Sequence, residues 1–175
     1  MDEVSVPPPM AARARRTLEI WLPLAILALD QLSKELVRRG LDLHESATIV
    51  PGIVDFVHVR NAGAAFGILN SAAFPYKTVF IVLIASAGLV GVALYSASLA
   101  SNQLAARVGL ALIIGGAAGN LIDRIIVGYV VDFVDVYWRE YHFWAFNVAD
   151  SAITIGVVIM ILDMLGVRAH VSKTA

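Results

Sequence analysis

The chain has 175 residues, 59% of them hydrophobic, with a mean hydropathy of +0.78; a soluble domain is nearer 45–50% apolar, so the composition is that of an integral membrane protein. A net charge of −1 leaves no basic face for nucleic acid. The absence of cysteine excludes a disulfide framework, a cysteine nucleophile and thiolate metal sites.

Residues 1–19, with Pro7-Pro-Pro9 and Arg13, Arg15 and Arg16, read as a disordered basic tail. The tail followed by Ile20–Leu29 mimics a signal peptide, but the segment runs on through Asp30-Gln-Leu-Ser-Lys34 without a small-residue cleavage site, which predicts an uncleaved first span over about 20–38. Residues 48–60, rich in β-branched side chains around Pro51-Gly52, predict a short hairpin or small sheet outside the membrane core. Thr78 to Ala100 carries no charge over 23 positions, enough to span a bilayer. A third span is expected over about Leu104–Val127 and a fourth over about Asn147–Val167. Between them, residues 129–146 are crowded with Tyr, Trp and Phe, which predicts an interfacial loop or amphipathic helix, with a lid as the sharper alternative. The fold class is therefore all-α integral membrane: four transmembrane helices, a small extracytoplasmic β-rich segment at about 41–70 and an interfacial aromatic-rich loop at about 129–146. Residues 20–168 form one domain, and 169–175 a short C-terminal tail. Lys and Arg divide six to seven between the two sides, which leaves orientation open.

Two acids stand out. Asp132 and Asp150 lie 18 positions apart at the edges of apolar segments, and a carboxylate at membrane depth costs roughly 2.5–3.5 kcal/mol. Paired carboxylates can run general acid–base chemistry on water. Asn147 lies three residues before Asp150, where a helix cap is the competing explanation; with Asp132, Asn120 and Arg124 close in sequence, a site is favoured. Arg124 can donate to carbonyls or hold a carboxylate, with ion pairing to Asp123 as the alternative. Asp30 and Lys34 share a helix face and read first as a charge pair neutralising itself in a bundle, with a site pair as the alternative. Gly115-Gly-Ala-Ala-Gly119 reads as close helix packing. In Asn61-Ala-Gly63-Ala-Ala-Phe-Gly67 the glycines permit positive φ or close approach, offering backbone to an extended peptide; a tight re-entry turn is the alternative. His44, His58, His142 and His170 show no metal-ligand spacing, and no serine elbow or phosphate loop is present.

Asp30-Gln-Leu-Ser-Lys34, Asn61-Ala-Gly-Ala-Ala-Phe66, Gly115-Gly-Ala-Ala-Gly-Asn-Leu-Ile-Asp-Arg124 running on to Gly128-Tyr-Val-Val-Asp-Phe133, and Phe146-Asn-Val-Ala-Asp150 resemble, in order, the conserved blocks of bacterial lipoprotein signal peptidase, or signal peptidase II. The resemblance implies an inner-membrane aspartic endopeptidase with both termini cytoplasmic and the site near the outer face. It cleaves diacylglyceryl-modified prolipoproteins just before the lipidated cysteine, without metal or other cofactor. It implies Asp132 and Asp150 as the catalytic pair, Asn61, Gly63, Asn120, Arg124 and Asn147 as substrate-binding residues, and Asp30, Lys34 and Asp123 as structural support. It also implies contact with membrane lipids, inhibition by globomycin-type cyclic peptides and action as a monomer. The competing readings are a small proton- or ion-coupled carrier, for which no inverted repeat is found, and a membrane scaffold whose acids only pair with Lys34 and Arg124.

Overall fold

A computed structural model describes residues 10–63, 75–100 and 102–166. Among them the chain forms four helices and a four-stranded antiparallel sheet. The helices are α1 Met10–Gly40, α2 Lys77–Ser98, α3 Leu104–Ile126 and α4 Val148–Met164, and the strands are β1 Ser46–Val50, β2 Val54–Asn61, β3 Val130–Trp138 and β4 Tyr141–His142. α2 and α3 are each long and apolar enough to cross a membrane. At 1.5 Å per residue the 22 residues of α2 span about 33 Å, the thickness of a bilayer core.

α3 is the central helix and packs against α1, α2 and α4. Two glycine stripes permit this. A Cβ at Gly115 would lie 2.8 Å from the Pro23 carbonyl oxygen of α1, and one at Gly119 would strike the Asp30 carboxylate. On another face, a Cβ at Gly109 would lie 2.9 Å from the Gly156 carbonyl of α4, and one at Gly116 would strike the Ala149 carbonyl. Close packing, as expected, is the use of this run. α2 buries only Ile81 among its described residues and turns Leu83, Val90 and Leu94 outward, as a lipid-facing helix does.

The β-rich expectation for residues 48–60 holds: β1 and β2 form a hairpin through Pro51-Gly52, with Gly52 at φ +80°. Residues 64–67 of the glycine-containing loop lie outside the described residues. Two expectations need correction. Residues 129–146 are not a loop or an amphipathic helix; they supply β3 and β4, with β3 the neighbour of β2. Val130, Val131, Val134 and Val136 give this stretch strong strand propensity, which the count of aromatics obscured. The helical part of the chain also begins ten residues earlier than position 20, at Met10, because residues 10–19 contain good helix formers and neither Pro nor Gly. Pro23 consequently sits inside α1 rather than in its first turn.

The sheet rests on the C-terminal end of α1, where Val37 and Leu41 pack against Val131 and Phe133. Its β2–β3 register pairs Asn61 with Val130 and Val59 with Asp132. Asn61 and Asp132 thus project from one face, above the ends of α3 and α4.

Candidate active site

Asp132 comes from the sheet and Asp150 from the first turn of α4, and one residue touches both. Asn147 is the N-cap of α4 and fully buried. Its side-chain oxygen accepts the Asp150 backbone N–H at 2.9 Å, and its own backbone N–H donates to Asp150 Oδ2 at 3.3 Å, a reciprocal capping box. Its Nδ2 donates to Asp132 Oδ1 at 2.7 Å and to the Val131 carbonyl at 3.3 Å. The cap that starts α4 is therefore also the link between the two acids. The other Asp132 oxygen accepts from Asn61 Nδ2 at 3.1 Å.

Asp132 is 3% exposed. Burial, reinforced by the negative charge of Asp150, raises its pKa from 3.8 to about 7; the hydrogen bonds from Asn61 and Asn147 oppose the rise. Two carboxylates in this setting do not both ionise easily at neutral pH.

Asp150 is held from the helix side. Asn120 Nδ2 donates to Asp150 Oδ1 at 2.8 Å, while Asn120 Oδ1 accepts from Lys34 Nζ at 2.9 Å. An ammonium can only donate, so Lys34 fixes the orientation of the Asn120 amide and with it the donor aimed at Asp150. Lys34 is fully buried and ion-paired to Asp30 and to Asp123, both at 2.7 Å. Asp30 also accepts the Ala149 backbone N–H at 2.9 Å, satisfying an orphan donor of α4 next to Asp150. The Asp30–Lys34 pair neutralises itself, as expected, and in addition braces Asp150 along two routes. Asp123 takes a second cation, Arg38, at 2.8 Å. Arg38 belongs to this network although the sequence marks it only as a span-end charge; its place eight residues beyond Asp30, on the same helix stripe, is the signal for it.

Arg124 uses carbonyls rather than carboxylates. It donates to the Asn120 carbonyl at 3.1 Å and to the Gly63 carbonyl at 2.7 Å. Gly63 is buried, and its N–H donates to Asn61 Oδ1 at 3.0 Å. Both Gly63 backbone groups are thus engaged within the chain, the carbonyl keeping a second lone pair. No group of three or more His, Asp or Glu side chains with metal-binding geometry occurs among the described residues. Outside this cluster, Asp135 pairs with His142 at 2.7 Å on the sheet.

The family model described as signal peptidase (SPase) II matches residues 22–166. The chain is 44% identical over 147 residues to a lipoprotein signal peptidase of Geobacter metallireducens, covering 84% of this chain and 90% of that one. It is 40% identical over 162 residues to the lipoprotein signal peptidase of Pseudomonas putida, covering 91% and 93%. A bacterial membrane enzyme solved by the in meso method at 2.3 Å resolution superposes with a TM-score of 0.77 at 31% identity, covering 91% of this chain and 94% of the other. With the family's model matching from within α1 through the sheet to the end of α4, the chain belongs to the signal peptidase II family.

Proposed function

We propose that the protein is a membrane aspartic endopeptidase that removes the signal peptide from diacylglyceryl-modified prolipoproteins, cutting just before the lipidated cysteine, with Asp132 and Asp150 as its catalytic pair. The observation that carries this reading is the bridge at Asn147: one buried amide holds one acid and caps the other, and burial pushes the pKa of the acid on the sheet up to about 7. Two acids held through one residue, one of them resisting ionisation, support a shared-proton dyad. The ionised carboxylate takes a proton from a water, whose oxygen attacks the scissile carbonyl carbon. The protonated carboxyl gives its proton to the carbonyl oxygen. Collapse of the tetrahedral intermediate breaks the C–N bond, the proton taken from water goes to the leaving amine of the cysteine, and one hydroxyl of the gem-diol returns a proton to the other carboxylate, so the dyad is restored and the signal peptide leaves with a new carboxyl group.

Arg124 supports the placement of the substrate. Its guanidinium holds the Asn120 and Gly63 carbonyls, which ties the residues after β2 to α3 beside the two acids, where a substrate chain would lie. In this reading α1 and α4 complete four membrane crossings, both termini lie in the cytoplasm, and the sheet stands at the outer face of the inner membrane. The lipid tails of the substrate stay in the bilayer while the peptide meets the dyad at its edge. A globomycin-type cyclic peptide would compete for the same position. In this reading the enzyme acts as a monomer, with both acids and their partners on one chain.

The reading is tested with purified protein and a precursor in two forms, with and without diacylglycerol on the cysteine. The lipidated form should shift to the mature size on a gel and the unlipidated form should not. Equal cleavage of both would remove the lipid from the proposal, and cleavage of neither would remove the activity.

A further inference from the structure

The two proposed catalytic acids stand on separate bodies, Asp132 on the sheet and Asp150 on the helix bundle. Their relative position depends on how the sheet is fixed to the bundle, and besides the Asn147 bridge and the packing of Val37 and Leu41, His58 joins the sheet to α1 by a side-chain hydrogen bond. His58 lies on β2 where the strand carries one residue more than its partner: Phe56 pairs with Val134, yet Val59 pairs with Asp132. Such a bulge bends a strand and re-aims the side chains beyond it. What the sheet brings to the site, Asp132 and Asn61, lies just past it.

The His58 backbone is occupied on the β1 side, donating to the Glu45 carbonyl at 3.1 Å and accepting from the His44 N–H at 2.9 Å. Its ring is 4% exposed, and Nδ1 lies 2.9 Å from the carbonyl oxygen of Leu41, the residue after α1. A carbonyl only accepts, so Nδ1 carries the proton and donates. Leu41 in turn donates to the Val37 carbonyl at 3.0 Å, and Val37 and Leu41 pack against Val131 and Phe133, the two neighbours of Asp132. Nε2 is buried without a partner among the described residues. Burying that nitrogen is unfavourable, so packing alone gives no reason for an imidazole here, whereas the Nδ1–Leu41 bond does.

We propose that His58 is a positioning residue: its Nδ1–H pins the β2 bulge to the end of α1 and so holds Asp132 at a fixed separation from Asp150. The consequence for turnover rests on the function proposed above; the consequence for the sheet does not. Because the chain contains no cysteine, spin labels can be placed without background at Ile49→Cys on β1 and Leu32→Cys on α1, both exposed positions. In the labelled protein in nanodiscs, a narrow distance distribution is expected. His58→Leu should widen it about twofold and lower kcat on the lipidated precursor about tenfold, with KM changed less than about twofold, the cost of one lost buried hydrogen bond expressed in the reacting geometry. His58→Asn, whose amide nitrogen sits where Nδ1 does, should restore both. An unchanged distribution and kcat in His58→Leu would overturn the proposal, as would a His58→Asn variant as impaired as His58→Leu. If the labelled parent cleaves nothing, the proposed function fails, while the distance measurement still decides the role of His58.

Discussion

Replacing Asn147 separates its two tasks. Asn147→Ala removes the cap of α4, worth about 1 kcal/mol, and the hydrogen bond to Asp132 at 2.7 Å. As Asp132 gives up its proton in the transition state it becomes charged, and a hydrogen bond to a charged group contributes about 1.5–3 kcal/mol. Asn147→Ser keeps an oxygen that can accept the Asp150 N–H, but it has no donor that reaches Asp132. The two variants should therefore differ in stability by about 1 kcal/mol, with serine the more stable. They should lose activity alike, by about 10- to 150-fold if the Asp132 bond is fully expressed in the transition state. The assay is cleavage of a lipidated precursor alongside thermal unfolding in detergent. Serine activity within threefold of the parent would refute the reasoning, because capping would then be all that Asn147 does.

Three further outcomes are expected. Asp132 keeps its proton in the folded chain up to about pH 7 but releases it near 3.8 when unfolded. Between those values the folded state binds more protons, so stability should fall as pH rises from about 4 to about 7 and then level off, by about 4 kcal/mol in all. Unfolding of the parent relative to Asp132→Asn across that range isolates the effect, and a flat or rising difference would contradict it; kcat/KM should likewise decline above pH 7 as the shared proton is lost. Lys34→Met leaves Asp30 buried without its cation and should cost about 3–5 kcal/mol, with Asp30→Asn in the same chain recovering part of it; an unchanged melting temperature would count against the buried network. Gly116→Ala drives a methyl into the Ala149 carbonyl and should lower stability by about 1–3 kcal/mol together with activity. Gly91→Ala on α2, which meets nothing within 4 Å, should be neutral or stabilising, and equal effects at the two positions would sink the packing argument.

How much of this was legible in the sequence differs by interaction range. α2, α3 and α4 fall within three residues of their expected limits because uncharged runs reveal them directly. The β1–β2 hairpin was readable from β-branched residues around Pro51-Gly52. β3 is not, because its valines are interspersed with Asp and Phe among many aromatics, so composition alone points to an interfacial segment for the strand that carries Asp132. The Asp30–Lys34 pair follows from an i,i+4 spacing. The bond from Lys34 to Asn120, 86 residues away, exists only because the glycine stripe lets α1 and α3 approach, and no local pattern contains it. The same holds for Arg124, whose choice of the Gly63 carbonyl over an acid depends on where β2 ends. The His58 contact to Leu41 needs both the bulge and the end of α1, which only the folded chain supplies.

The central claim, that Asp132 and Asp150 act together on one water, is tested most directly by neutralising each acid without changing its shape. Asp132→Asn and Asp150→Asn, purified in detergent and shown to unfold at temperatures near that of the parent, are assayed by gel shift on a diacylglyceryl-modified precursor. Asp135→Asn serves as a control, since Asp135 pairs with His142 on the sheet and takes no part in the dyad. Each of the first two variants should lose all detectable cleavage while Asp135→Asn retains substantial activity. Full activity in either Asp132→Asn or Asp150→Asn would contradict the dyad.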